Sequence, residues 1–194
     1  MKLEVDRVTG TPDALHFPVT AGWWERHCAA DAELAAAFAE PLALDLRVHT
    51  MGEDLYLEGE VRGELALTCA RCATRYREPV RESFRLVLEP AGSRVPADPE
   101  GAEGLDRDGL YLSDELEHGW YRGSEIHLDR FVKELVALGV PVQPLCREDC
   151  RGLCPRCGID RNEARCGCVE EVRHSPFAAL RALRDSGPGT GGRS

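Results

Sequence analysis

No stretch of this 194-residue sequence approaches the roughly 20 consecutive apolar residues that a membrane-spanning helix requires. The N-terminus, MKLEVDRVTG, lacks the apolar core of a secretion signal, so a cytoplasmic protein is expected. An excess of positive charge is also missing. Lys+Arg 24 against Asp+Glu 34 leaves a net charge of −10, which argues against a protein that coats nucleic acid wholesale. Catalytic signatures are absent as well: there is no P-loop, no glycine-rich dinucleotide fingerprint and no nucleophile elbow, and the six histidines are scattered. With 43% hydrophobic and 30% charged residues, the composition is that of a globular chain with a real core.

What the chain does have is cysteine, nine in all. Without a secretion signal these are not expected to form a disulfide framework. Their spacing is uneven: Cys28 stands alone, Cys69 and Cys72 form a pair, and six more fall between 146 and 168. Cys28 reads as a small buried hydrophobe.

From 42 to 88 the hydrophobic period is two. Leu42, Leu44, Leu46 and Val48 alternate with Ala43, Asp45, Arg47 and His49, Leu55 to Leu67 repeat the pattern, and Val80 to Leu88 repeat it again. Three strands with one apolar face predict an antiparallel meander, partly closed into a curved sheet, with Gly59 and Gly63 marking bulges or a bend. Cys69-Ala-Arg-Cys72 lies at the turn between the second and third strands. Within 1–40, DALHFPVT (13–20) suggests a strand and DAELAAAFAE (31–40) a short helix. The adjacent Trp23 and Trp24 suit core or edge packing. Residues 89–108, rich in Pro, Gly and acid, predict a flexible surface loop. A strand pair is expected at 109–112 and 124–128. The apolar stripe of Leu128, Phe131, Val132, Leu135 and Val136 then predicts a helix with Asp129 as N-cap, ended by Gly139 and Pro141. Ser175-Pro176 opens a last helix, and 186–194 reads as a disordered tail. The expected class is α+β: an N-terminal segment (1–40) packed on the sheet, a core over 41–145, and a cysteine-rich zinc-binding module with its terminal helix over 146–185.

Cys154-Pro-Arg-Cys157-Gly is the strongest motif. Two thiolates separated by two residues, followed by glycine, form half of a metal site in which backbone amides turn toward the sulfurs. Cys166-Gly-Cys168 is the nearest second half, with Gly167 expected to supply unusual dihedrals. Four cysteines without histidine suit a closed structural zinc site rather than an open catalytic one. Cys69, Cys72, Cys146 and Cys150 remain. If the helix at 129–138 packs on the meander, the loop after it brings Cys146 and Cys150 to the Cys69–Cys72 turn, making a second site; one or two zinc ions are therefore expected. Two other readings fail. Cys150-x3-Cys154-x2-Cys157 matches the cluster motif of radical S-adenosylmethionine enzymes, but only 37 residues follow it, too few for their barrel. A thioredoxin-type dithiol would sit between a strand and a helix.

Charge is uneven too. Residues 1–145 carry 15 basic and 27 acidic side chains, leaving 9 and 7 of the totals for 146–194. Arg71, Arg75, Arg77, Arg81 and Arg85 gather around the first cysteine pair, and Arg147, Arg151, Arg156, Arg161 and Arg165 thread the second block. Arginine there serves either to neutralise the net −2 of a tetrathiolate zinc or to contact RNA phosphate. Arg71, Arg75, Arg77, Arg151 and Arg156 are the candidate contacts to RNA or a partner.

The run from Pro144 through Cys146, Cys150, Cys154 and Cys157 to Gly158, then Asn162-Glu163, Cys166-Gly-Cys168 and the tail Pro176-Phe-Ala-Ala-Leu-Arg-Ala-Leu, resembles the YceD family of large-ribosomal-RNA-subunit accumulation proteins. Cys69-Ala-Arg-Cys72 matches its upstream motif, and the resemblance covers roughly 40–185. It departs at the first 40 residues, which match nothing in the family, and at Ser175, where an acidic or amide residue is usual. The resemblance implies a non-enzymatic bacterial or plastid factor in ribosome biogenesis. Such a factor supports accumulation or maturation of large-subunit ribosomal RNA, with that RNA or a ribosomal or assembly protein as partner and no membrane or small-molecule substrate. Two alternatives are a protein-binding adaptor and a thiol or zinc redox switch, neither touching RNA.

Overall fold

The computed structural model describes residues 1–32, 34–113 and 117–168. The chain divides into two compact units, Met1–Gly152 and a second beginning at Leu153. The helix expected at 175 and the tail at 186–194 lie outside the described residues. None of the helices among those residues is long and apolar enough to cross a membrane.

The first unit is α+β. Its centre is the meander of β3 (Phe38–Met51), β4 (Asp54–Thr68) and β5 (Arg75–Pro90). β3 and β4 pair from Leu42↔Gly63 to Met51↔Asp54, and β4 and β5 from Leu55↔Leu88 to Thr68↔Arg75. Alternation drives the arrangement: Leu44, Leu46, Leu55, Leu57, Val61, Leu65, Leu86 and Leu88 are all buried on one face. β2 (Asp13–Pro18) extends the sheet beyond β3; beyond β5 come β7 (His118–Tyr121), parallel to it, and β6 (Leu110–Leu112). The sheet is mixed and open, with β2 and β6 as its edges. β1 (Lys2–Glu4) and β8 (Glu125–His127) form a separate two-stranded ribbon.

Helices α1 (Ala21–His27) and α3 (Asp129–Leu138) add to this core, as do Leu3 and Ile126 of the ribbon. α3 buries Phe131, Val132, Leu135 and Val136, and the Phe131 ring meets Phe84 edge-on at 4.8 Å. Trp23 and Trp24 are buried, the Trp24 indole donating to the Leu34 carbonyl at 3.1 Å. Of the bulges or bend expected at Gly59 and Gly63, an irregularity lies opposite Gly63 alone and in β3, while Gly59 pairs regularly with Leu46 and Phe84. β3 shifts register between Phe38 and Leu42, and a Cβ on Gly63 would lie 2.2 Å from the Pro41 carbonyl oxygen.

Several expectations fail, each for a local reason. The alanine-rich 31–40 segment is not a helix: residues 34–36 are turns and Phe38 already pairs with Leu65. Burial of Leu34 and Ala37 against the sheet overrides the weak propensity of alanine. Residues 99–108 are not loop but a helix, α2 (Pro99–Asp108). Asp98 caps it by accepting from the Gly101 amide at 2.5 Å, and Leu105 anchors it in the interior. The strands near 110 and 125 do not pair with each other. β6 pairs with β7, and β8 with β1. Asp129 is the first residue of α3 rather than its cap, since the Val132 amide donates to the Leu128 carbonyl at 2.8 Å, and its carboxylate accepts instead from the Trp23 indole at 2.5 Å.

Candidate metal centres

The β4–β5 turn holds the first cysteine pair. The Cys69 amide donates to the Thr74 carbonyl at 2.9 Å, and the Ala73 amide donates back to the Cys69 carbonyl at 2.9 Å. Ala73 sits at φ 58, in the left-handed region. This closure turns amides inward, and the Arg71 N–H donates to the Cys69 sulfur at 3.5 Å. The segment after α3 then returns to the turn: the Ala70 amide donates to the Pro144 carbonyl at 2.8 Å. That contact delivers Cys146 and Cys150. All four sulfurs of Cys69, Cys72, Cys146 and Cys150 lie within 4.8 Å of one another, in a cluster that could hold a metal ion.

The spacing fits a tetrahedron. Metal–sulfur bonds of about 2.3 Å give sulfur–sulfur edges of about 3.8 Å. The observed separations are 3.8 Å for Cys69–Cys150 and 3.6 Å for Cys72–Cys146. Cys69, Cys72 and Cys150 are buried, and Tyr76 and Leu145 pack against them. Burial raises the Tyr76 phenol to about 12.

The second unit repeats the turn with different residues. The Cys154 amide donates to the Ile159 carbonyl at 2.8 Å, the Gly158 amide donates to the Cys154 carbonyl at 2.9 Å, and Gly158 takes φ 71. Gly158 thus occupies the position of Ala73. A turn at 160–164 follows, held by the Asp160 carboxylate, which accepts from the backbone and side-chain amides of Asn162 at 2.8 and 2.6 Å. The chain then presents Cys166 and Cys168. The sulfurs of Cys154, Cys157, Cys166 and Cys168 also lie within 4.8 Å of one another. Gly167 departs from expectation. It is not at positive φ, and a Cβ there would meet nothing within 4 Å, so the unusual dihedral of this site belongs to Gly158.

Electrostatics favour a cation in both clusters. Burial alone would raise the Cys69 thiol, but amides of Cys146, Cys72 and Arg71 outweigh it and lower the pKa to about 6. Cys146 is pushed up to about 12, by burial first and by its neighbouring thiols second. The second cluster shows the same split. Amides of Cys157 and Arg156 bring Cys154 down to about 6, while the Cys157 sulfur and burial raise Cys168 to about 12. Thiols this close cannot all ionise without a positive charge among them. Cys28 is in neither set. It is fully buried, and burial raises its thiol to about 11.

The candidate arginines are used within the fold. The Arg71 guanidinium donates to the carbonyls of Cys150 at 3.0 Å and Glu148 at 3.4 Å, clasping the return segment. Arg75 donates to the carbonyls of Ala36 and Ala66, and Arg77 to the Glu64 carboxylate at 2.7 Å and the Glu40 carbonyl at 3.1 Å. Arg75, Arg77, Arg81 and Arg85 nevertheless all lie on the exposed face of β5. Arg151 and Arg156 flank the two clusters, one in each unit, and both are engaged in interactions of their own. What spacing alone does not reveal is Gly152. At φ 67 it lets the chain pass so near Arg71 that a Cβ would lie 2.8 Å from the Arg71 carbonyl oxygen. Its position two residues after a cysteine, before a second knuckle, was the available signal.

Comparison with known proteins places these cysteines in a family context. An uncharacterized protein of Mycobacterium tuberculosis is 34% identical over 118 residues, covering 61% of this chain and 50% of the relative. One from Mycobacterium leprae is 30% identical over 119 residues, covering 61% and 48%. The chloroplastic large ribosomal RNA subunit accumulation protein YCED homolog 1 of Arabidopsis thaliana is 26% identical over 164 residues, covering 75% and 49%. The chain spans about half the length of these curated relatives. No solved structure matches it. The profile of the large ribosomal RNA subunit accumulation protein YceD matches residues 57–184, a span that holds all eight clustered cysteines, and the chain belongs to the YceD family.

Proposed function

We propose that this protein is a non-enzymatic, zinc-binding factor of the cytoplasm that supports the accumulation or maturation of large-subunit ribosomal RNA. The observation that carries the reading is the pair of four-thiol clusters, each with its sulfurs within 4.8 Å of one another, inside the span shared with the family. Four cysteines closing on one ion leave no position for water or substrate, which is the arrangement of structural rather than catalytic zinc. Cys69, Cys72, Cys146 and Cys150 would hold one ion, and Cys154, Cys157, Cys166 and Cys168 the other. Each ion supplies the positive charge that lets four neighbouring thiols ionise together.

In this reading the arginines have two tasks. Arg71 faces the dianionic tetrathiolate and fixes the return segment. Arg75 and Arg77 use some of their five donors within the fold and keep others on an exposed face, where guanidinium suits phosphate. Arg151 and Arg156 add charge beside the clusters.

The test is the ratio of large- to small-subunit ribosomal RNA after depletion in the protein's own host, with complementation by wild type, Cys154→Ser, and Arg75→Glu with Arg77→Glu. The ratio should fall, wild type should restore it, and neither variant should. An unchanged ratio after depletion refutes the ribosomal role. Rescue by Cys154→Ser refutes a need for the second zinc site, and rescue by the arginine double variant refutes the RNA contact. Native mass spectrometry should find two zinc ions per chain; one or none refutes the two-site assignment.

A further inference from the structure

A cleft of about 1010 Å³ in the first unit is lined by β2 to β6 and α3. Its apolar lining includes Leu15, Leu46, Phe84, Leu112, Leu135 and Leu138. Leu138 is 69% exposed, although the other large apolar side chains of α3 are buried. Six carboxylates border the cleft, of Asp45, Glu58, Glu60, Glu82, Glu117 and Glu134; by strand alternation Asp45, Glu58 and Glu60, with Arg47 and Arg85, belong to the face of the sheet opposite Leu46 and Phe84, whereas Glu82 shares the side of Phe84.

Four of the carboxylates are already committed. Asp45 pairs with Arg62 at 2.6 Å, Glu58 with Arg85 at 3.5 Å, Glu134 with Arg130 at 3.2 Å, and Glu60 with Arg81. Among the described residues, Glu82 and Glu117 have no ion-pair partner. Glu82 is half-buried, two residues before Phe84 and on the same side of β5. A carboxylate partly withdrawn from water beside leucines and phenylalanines is under-compensated, and a cation brought to it recovers part of that cost. The cleft is also flanked by the two sheet edges, which supply Leu15 from β2 and Leu112 from β6.

We infer that this cleft docks a short basic amphipathic segment of another protein, its apolar side chains against the leucines and its lysines or arginines toward Glu82 and Glu117. The two carboxylates without an ion-pair partner disfavour RNA phosphate, and a neutral apolar ligand would leave both of them unpaired. The complementary pattern is the one by which amphipathic segments fill hydrophobic grooves. The inference goes beyond the ribosomal reading and does not rest on it, since it uses none of the cysteines or candidate arginines.

The test uses the full-length, zinc-loaded protein and a fluorescein-labelled peptide of leucine and lysine at helical spacing, followed by fluorescence anisotropy and by NMR of labelled leucine methyls. Binding should shift the methyls of Leu15, Leu112 and Leu138. Glu82→Lys and Glu117→Lys should each weaken it by about tenfold, while the same charge change at the exposed Glu25 should have far less effect. Leu138→Asp should weaken it as well, and circular dichroism and zinc content should be unchanged in every variant. Should Glu82→Lys fail that check, Glu82→Gln replaces it. No binding, equal loss from Glu25→Lys, shifts away from these methyls, or equally tight binding of a leucine–glutamate peptide or an RNA oligonucleotide through the same methyls would overturn the inference.

Discussion

Replacing Ala73 by glycine should stabilise the protein, and replacing Gly158 by alanine should destabilise it, although the two residues hold the same place in two similar turns. Ala73 is at φ 58 and Gly158 at φ 71, each directly after the second cysteine of its pair. An L-residue with a Cβ costs roughly 1–2 kcal/mol in the left-handed region. Glycine returns roughly 0.4–1 kcal/mol of that through the greater freedom of the unfolded chain. The difference is about 0.5–1 kcal/mol in favour of glycine at either position. Nothing lies within 4 Å of a Cβ built on Gly158, so no clash complicates the second half of the pair. The assay for Ala73→Gly is denaturant unfolding at fixed, saturating zinc, because bound metal contributes to apparent stability. For Gly158→Ala it is the rate of zinc transfer to a chromogenic chelator, expected to rise several-fold. A neutral or destabilising Ala73→Gly, or a Gly158→Ala that holds zinc as well as wild type, would refute the equivalence of the two turns.

Arg71→Gln should speed zinc loss from the first site, because it removes the donors to the Cys150 and Glu148 carbonyls. Hydrogen bonds from a charged donor are worth about 1.5–3 kcal/mol, less where water reaches them, and chelator competition reads the change. Gly119→Ala would place a Cβ 2.1 Å from the Tyr111 carbonyl oxygen. It should cost on the order of 3 kcal/mol by prying β6 from β7, measured by thermal unfolding. Asp129 ties α3 to the Trp23 indole and the Met1 amine. Burial would raise its carboxyl, but those two donors prevail and lower it. Its contribution is therefore complete above the ordinary aspartate range and lost as pH falls through the depressed folded value. The stability advantage of wild type over Asp129→Asn should shrink as pH is lowered from 7 toward 3. Taking that difference cancels the acid-driven loss of zinc common to both proteins.

The long strands were legible because the signal repeats. Each of β3 to β5 runs for about fifteen residues, with leucine or valine at most inward positions of β3 and β4 and at Val80, Leu86 and Leu88 of β5, and α3 shows its stripe as plainly. The cysteines were legible through spacing. What escaped was short or chemically disguised. β7 is four residues, His118–Tyr121, with a glycine where the neighbouring strand presses closest. α2 carries a single buried leucine among acids and glycines, so its composition spoke for a loop while its Asp98-Pro99 start spoke for a helix. The double use of arginine was out of reach, because no pattern in one dimension tells whether a guanidinium faces solvent or a carbonyl brought from some eighty residues away.

That distance separates the two proposed zinc sites in kind. In the first, Cys72 meets Cys146 across 74 positions and Cys69 meets Cys150 across 81. In the second, the ligands span only Cys154 to Cys168. On the chain-entropy scale derived for disulfides, closing a loop of about 80 residues is worth ~4.5 kcal/mol, against ~3 kcal/mol for one of about 15. The first site also lies against the apolar Leu145 and the ring of Tyr76, while Cys157 of the second is exposed. Metal in the first site would therefore act as a tertiary crosslink, fastening the chain that follows α3 to the turn joining β4 and β5. Metal in the second would organise its own short stretch of chain and little else. Both sites use the same cysteine knuckle, yet losing the first ion should loosen the sheet unit, whereas losing the second should unmake only the knuckle that holds it.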